Sequence, residues 1–412
     1  ALTEQHAEEE HHDEDEHEEE GHDDHGHEEG PTTFANDASE FGLTFNLSNN
    51  QKFVINLADE ESSVIGAESF MNPVTSDELT FGYFRSAEYG KFNLDLGVRL
   101  DRIDRNGSIT EAHHDEDEHH DEDEHHDEDE HHDEEEGETT FFDKSFDNIS
   151  FALNLGRELN DYFDVDFGFA VVERAPSASE LFMNGPHLVT QRFEVGNTNL
   201  SAEESTNFEV TLNYNNDGAY SSFTMYRNSV DNYIYLMDET EEEHEEHDEE
   251  HEEGHDDHEG LTLANFMQQN AEFEGVELQV GRMFELASGT LDLRYSRDEV
   301  SATFDDGHDV PRITPARNTY SLAYSKDTMV FKLMLKDVDK QSDVAEGETP
   351  TDGYQMLNAR LTKVFDLGNS NLSVSIFGNN LLDEVARNHT SYVKSEVPLP
   401  GRNYGVKFNL NF

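Results

Sequence analysis

The chain of 412 residues has no cysteine, so it forms no disulfide, offers no thiol nucleophile and cannot build a cysteine-ligated zinc site. Positive charge is scarce: 26 Lys and Arg stand against 95 Asp and Glu, a formal charge of −69. Phosphate binding needs a basic face, and without one a nucleic-acid partner is excluded. No run approaches the roughly 18–20 apolar residues of a membrane helix. There is no initiator Met and no basic-then-apolar leader, from which a mature or truncated piece of a longer chain is expected. A mean hydropathy of −0.83 leaves membrane strands open, because they alternate polar and apolar residues.

The acidity is concentrated. Residues 1–29, 111–138 and 238–259 hold 48 of the 95 acids and 20 of the 23 histidines, with no Lys or Arg. The remaining body carries 47 acids against 26 bases and is rich in Phe, Tyr, Leu and Val, which excludes a wholly disordered chain.

The body is written in period two. Tyr404, Val406, Phe408, Leu410 and Phe412 alternate with Asn403, Gly405, Lys407, Asn409 and Asn411. Phe92, Leu94, Leu96, Val98 and Leu100 do the same against Lys91, Asn93, Asp95, Gly97 and Arg99. No window supports a 3.6-residue period, so the chain is all-β, with about fifteen strands between residues 40 and 412. Short turns near 49–51, 88–90, 159–161, 216–218, 285–287, 327–328 and 367–369 alternate with long segments. In an antiparallel meander that parity puts every long segment, including the three acidic tracts, on one rim. One-sided loops are the mark of an antiparallel transmembrane β-barrel, with extracellular loops opposite short periplasmic turns. A bacterial single-chain barrel has an even strand count, so further strands are expected upstream.

Within the tracts, His113-His114-Asp115-Glu116-Asp117-Glu118 recurs from His119-His120, from His125-His126 and, altered, from His131-His132. The first tract carries His6, His11, His12, His17, His22, His25 and His27, and the third carries His244, His247, His251, His255 and His258. Imidazole with carboxylate suits Zn²⁺, Ni²⁺, Cu²⁺ and Co²⁺, whereas Ca²⁺ and Mg²⁺ need no histidine. The expectation is three disordered loops that trap divalent metal weakly at many sites; a solvated acidic loop that binds nothing is the plain alternative. Neutral imidazole is the ligand and nearby carboxylates favour its protonated form, so capture weakens as the pH falls through about 6–7. His251-Glu252-Glu253-Gly254-His255 matches the H-E-x-x-H pattern, but no amphipathic helix surrounds it, and protease chemistry is set aside.

Three ordered segments resemble a known family. Arg174-Ala175-Pro176-Ser177-Ala178-Ser179-Glu180-Leu181, then Gly185-Pro186-His187 and Phe193-Glu194-Val195-Gly196-Asn197, look like the R-A-P-S-x-x-E-L stretch of TonB-dependent receptors. Gly378-Asn379-Asn380-Leu381-Leu382-Asp383 and Pro400-Gly401-Arg402 resemble that family's N-L-L-D and P-G-R segments. Gly30 to Asp37 is similar to the zinc-uptake branch, in which His/Asp/Glu-rich extracellular loops are common. The resemblance implies a barrel of about twenty-two strands around an N-terminal plug. Against that plan residues 1–412 read as a barrel portion without plug or TonB box. It further implies the bacterial outer membrane, contact with lipid and lipopolysaccharide, energy from the TonB–ExbB–ExbD complex through the plug, a monomer, and no enzyme activity. The implied cargo is divalent metal, zinc first. A receptor for a metal chelate (siderophore or haem) and a surface barrel that sequesters metal without transport are the alternatives. His187 is the expected ordered ligand and Glu194 its candidate partner, while His308 and His389 lie in other long loops; an ordinary surface histidine is the bland reading of each. Pro176, Gly185, Gly196, Pro400 and Gly401 are expected to shape loops and carry no chemistry.

Overall fold

The computed structural model describes residues 32–66, 69–110, 138–239 and 260–412. All tract histidines therefore lie outside the described residues. In chain order the elements are β1 Thr33–Ser48, β2 Gln51–Ile65, β3 Val74–Tyr89, β4 Phe92–Thr110, β5 Thr139–Glu158, β6 Phe163–Arg174, α1 Ala178–Phe182, β7 Asn184–His187 and β8 Arg192–Val195. They continue as β9 Glu203–Asn216, β10 Ala219–Asp238, β11 Thr262–Leu286, β12 Gly289–Phe304, β13 Arg317–Lys326, β14 Met329–Val338, β15 Tyr354–Asp366, β16 Asn371–Asn379 and β17 Asn403–Asn411.

All seventeen strands join one sheet. Setting aside the small β7–β8 hairpin, fifteen long strands pair antiparallel with their sequence neighbours, and β6 pairs β9 across the hairpin. Among the described residues no register joins β1 to β17, and both are exposed along nearly their whole length. Short and long connections alternate as the sequence parity requires, so the long ones share one rim.

The register turns the period-two pattern into a continuous apolar face. Leu43, Ile55, Phe81, Leu100 and Ile149 stand opposite one another across β1–β5, as do Leu293, Leu322, Leu333 and Ala359 across β12–β15. A slip of one residue would reverse every one of these side chains, so this pattern fixes the pairing. That face is not a core. Phe41, Phe208, Ile376 and Phe408 remain exposed at 59%, 52%, 55% and 67%. A contiguous apolar surface of this size on the long strands is what a bilayer covers and water does not.

The buried core lies at the long-loop rim instead. Val74, Leu181, Phe182, Leu200 and Ile234 form one cluster, Val64, Phe70 and Met183 a second, and Ala271, Ala302, Phe304 and Val310 a third. The segment read from sequence as one loop after β6 holds α1 and the hairpin. Strands also reach further toward this rim than hydrophobicity shows: β1 begins at Thr33 rather than near 40, and β3 and β5 begin at Val74 and Thr139. Past the apolar face the backbone ladder continues with polar side chains, as where Thr110 faces Thr139 with hydroxyls 2.9 Å apart.

Candidate metal centre on the loop rim

The segment after β6 is ordered by its own side chains. Ser177 caps α1 and Glu180 returns the bond, its Oε2 accepting from the Ser177 amide at 2.6 Å. Arg174 holds Glu180 at 2.9 Å and Glu203 at 2.6 Å, while Leu181 and Phe182 fill the core. Backbone then packs on backbone. A Cβ on Gly196 would lie 2.7 Å from the Leu181 carbonyl carbon, and one on Gly185 would lie 2.8 Å from Phe70 Cα. Both positions shape the loop, as expected.

This frame carries β7 and β8, closed by the pair His187 and Arg192. His187 Nδ1 is 2.9 Å from Glu194 Oε1, which also accepts from Thr190 Oγ1 at 2.8 Å. The two candidate residues thus meet, and Glu194 is buried with 5% exposure. A carboxylate on Nδ1 favours the tautomer with its proton there and the lone pair on Nε2. In this arrangement Glu194 orients the imidazole. The ring stacks on Phe70, with centroids 4.9 Å apart. Among the described residues no group of three or more His, Cys, Asp or Glu could hold a metal ion. His187 and Glu194 therefore do not by themselves make a metal site among the described residues.

The roots of the second and third tracts are held by this hairpin, and β1, which follows the first, reaches it through Phe70. Phe34, at the start of β1, packs on Phe70 at 5.7 Å. Asn184 Nδ2 donates to the Thr110 carbonyl at 3.0 Å, where the second tract begins. For the third, Arg192 grips Asp238 through Nε and Nη2 at 2.7 and 2.6 Å, and β8 runs parallel to residues 262–265 of β11. Asp238 opens that tract in the sequence, yet it is the last residue of β10. Burial works against the Arg192 charge, and Asp238 more than offsets it, raising the guanidinium above its ordinary range.

Sequence reasoning missed the groups around this pair. Tyr392 lies beneath two guanidiniums, with Arg312 at 3.7 Å and Arg192 at 4.7 Å from the ring centroid. Burial raises its phenol, with Arg312 pulling the other way. Beside it, His389 is not a surface loop residue but 2% exposed. Its Nδ1 is 2.7 Å from Thr351 Oγ1, and its Nε2 is 3.1 Å from Glu348 Oε1. Lys394 Nζ donates to the same Glu348 oxygen at 2.8 Å. Burial pushes Glu348 up, but His389, Lys394 and the Arg312 amide outweigh it and hold the carboxyl at about 2. His308 is exposed and pairs with Asp306, which is held at about 2 by the His308 amide, then by the Gln269 and His308 side chains. The only sequence signal for the His389 cluster was a histidine in a long loop. Arg192 and Asp238, 46 residues apart, gave none.

Residues 17–381 match the family described as TonB dependent receptor-like, beta-barrel. The fold is similar to that of the copper transporter OprC, at 15% identity and a TM-score of 0.65, covering 92% of this chain and 56% of that one. It is also similar to the FrpB iron transporter from Neisseria meningitidis (F3-3 variant), at 12% identity and a TM-score of 0.57, covering 92% and 55%. The ferric-catecholate import receptor Fiu from E. coli K12 gives 14% and 0.57, covering 92% and 54%. Likeness at these identities shows the fold alone, and the chain spans a little over half the length of these structures.

Proposed function

The chain belongs to the TonB-dependent receptor β-barrel family of the bacterial outer membrane, a family of receptors and not of enzymes, and we propose that it captures divalent metal, zinc first, for uptake. The observation that carries this reading is the His187 imidazole, oriented through Nδ1 by buried Glu194 on a hairpin to which the roots of the second and third histidine-acid tracts are tied. The tracts raise the local ion concentration on the extracellular side, and His187 supplies an ordered donor beneath them. Borderline nitrogen donors beside carboxylates favour Zn²⁺, Ni²⁺, Cu²⁺ or Co²⁺ over Ca²⁺ and Mg²⁺. Gated import draws on the TonB–ExbB–ExbD complex through a plug, with the barrel held in lipid and lipopolysaccharide.

A chelate such as a siderophore or haem is the second reading. The polar cavity beside the site, lined by Arg192, Asp238, Arg312, Tyr392 and Lys394, holds about 160 Å³. Pockets for drug-sized ligands run to roughly 300–1,000 Å³, so this one is too small for such a chelate, and with Arg192, Arg312 and Lys394 in its lining it is not a cation site either. Calorimetric titration of the full chain in detergent with ZnCl₂ tests the reading. The native chain should show one tighter event above many weak ones, and His187→Ala should remove only the tighter one. An unchanged His187→Ala isotherm would overturn His187 as ligand.

A further inference from the structure

We infer that Arg192 is a positioning residue for metal capture: it locks the root of the third tract, at Asp238, to the hydrogen-bond chain that sets the His187 tautomer. This rests on the reading of His187 as a metal ligand. The chain of contacts is continuous. Asp238 takes Arg192 Nε and Nη2 at 2.7 and 2.6 Å. Arg192 Nη1 donates to the Thr190 carbonyl at 2.6 Å, and the Thr190 hydroxyl donates to Glu194 Oε1 at 2.8 Å. That same oxygen faces His187 Nδ1 at 2.9 Å.

Three further features make Arg192 more than a surface counter-ion. It is the cross-strand partner of His187, closing the hairpin. Its side chain is 12% exposed and that of Asp238 is 24% exposed, so the forked pair is shielded from solvent competition. Its guanidinium also lies over the Tyr392 ring, tying the hairpin to the β16–β17 loop. Arg312 reinforces the arrangement from the β12–β13 loop, donating to the Leu236 carbonyl at 3.0 Å and approaching Asp238 at 3.6 Å. A lysine at 192 could supply the charge but not the fork.

The test uses the full chain folded in detergent, with the twenty tract histidines replaced by asparagine so that His187, His308 and His389 remain. ¹⁵N shifts at one pH report which ring nitrogen of His187 carries the proton, and titration with Zn²⁺ alone reports affinity. The native residue at 192 should give a single Nδ1–H tautomer. Arg192→Ala and Asp238→Asn should each give mixed tautomers and weaken Zn²⁺ binding at least about tenfold, the loss expected when a ligand's hydrogen-bonded support is removed. Their combination should add little more, because one contact is being broken, and Arg192→Lys should recover only part. Should Arg192→Ala disorder the hairpin, the shape-preserving Asp238→Asn decides. A single Nδ1–H tautomer and a Zn²⁺ affinity within about twofold of the unmutated background in Asp238→Asn would overturn the inference. Absence of Zn²⁺ binding in that background would instead overturn His187 as an ordered ligand, while the tautomer measurement would still decide the role of Arg192.

Discussion

Glu348→Gln should loosen the β16–β17 loop while leaving the barrel intact. Glu348 Oε1 meets Lys394 Nζ at 2.8 Å and His389 Nε2 at 3.1 Å, and Oε2 accepts from the Arg312 amide at 3.1 Å and the Ala345 amide at 3.4 Å. The side chains of Glu348 and Lys394 are each 10% exposed and that of His389 1%, so screening by solvent is weak. Holding the carboxyl at about 2 against an ordinary 4.5 is worth about 3 kcal/mol, at about 1.4 kcal/mol per tenfold change in proton affinity. An amide keeps the shape and loses this charge, leaving Lys394 buried without a counter-ion, a change that typically costs about 3–5 kcal/mol. The open-loop population should rise by about two orders of magnitude. Because the chain has no cysteine, a nitroxide on Val397→Cys, an exposed site in that loop, reads the change by electron paramagnetic resonance. The folded value of Glu348 lies below the unfolded one. Its contribution is therefore complete above pH 4.5 in the native chain and disappears as the pH falls toward about 2. The spectrum should sharpen over that window in the native chain and already be sharp at neutral pH in Glu348→Gln. Adding Lys394→Met should recover much of the order by removing the stranded charge. Equal mobility and an equal acid profile in Glu348→Gln and the native chain would refute the argument.

Three further outcomes are expected. Leu322→Arg, at the middle of the apolar face between Leu293 and Leu333, should cost about 2–4 kcal/mol in reversible folding into vesicles, while its neighbour Ser321→Arg on the other face should cost far less. Equal costs would mean that lipid does not cover this face. Gly196→Ala should destabilise the segment carrying the hairpin by about 1–3 kcal/mol, because the new Cβ meets the backbone of Leu181 and Met183 at 2.7–2.8 Å. Hydrogen exchange across 184–197 reads this, and unchanged protection would count against it. A peptide of residues 111–138 should bind Zn²⁺ more weakly at about pH 5.5 than at about pH 7.5, and equal affinities in calorimetry would remove histidine from the capture.

The fold was legible because two local rules sufficed. Alternation at Phe41, Leu43 and Phe45 sets which face is apolar, and the alternation of short and long connections sets the rim on which loops gather. The capping box at Ser177 and Glu180 is also a four-residue pattern, yet the segment reads from sequence as a loop and the α1 turn is missed. His187 and Glu194 were legible as candidates through family-like residues seven apart in the chain. What that pair does was not legible, because its partners are distant: Phe70 reaches it from the β2–β3 connection, Arg192 reaches forward to Asp238, and Tyr392 arrives from the β16–β17 loop. The same holds for His389, whose burial against Glu348, Thr351 and Lys394 turned an expected surface histidine into the centre of a loop clamp.

The sequence alone determined the all-β meander, its apolar face, the one-sided loops, the family resemblance and the histidine-acid composition of the tracts, since each is written in neighbouring residues or in their period. Only the tertiary structure decided that two tract roots meet on one hairpin, that Glu194 orients His187 through Nδ1, and that Asp238 is held by Arg192. Those facts are contacts between side chains that the strand register brings together from far apart in the chain. A short-range pattern carries no information about which distant donor will satisfy a buried acceptor.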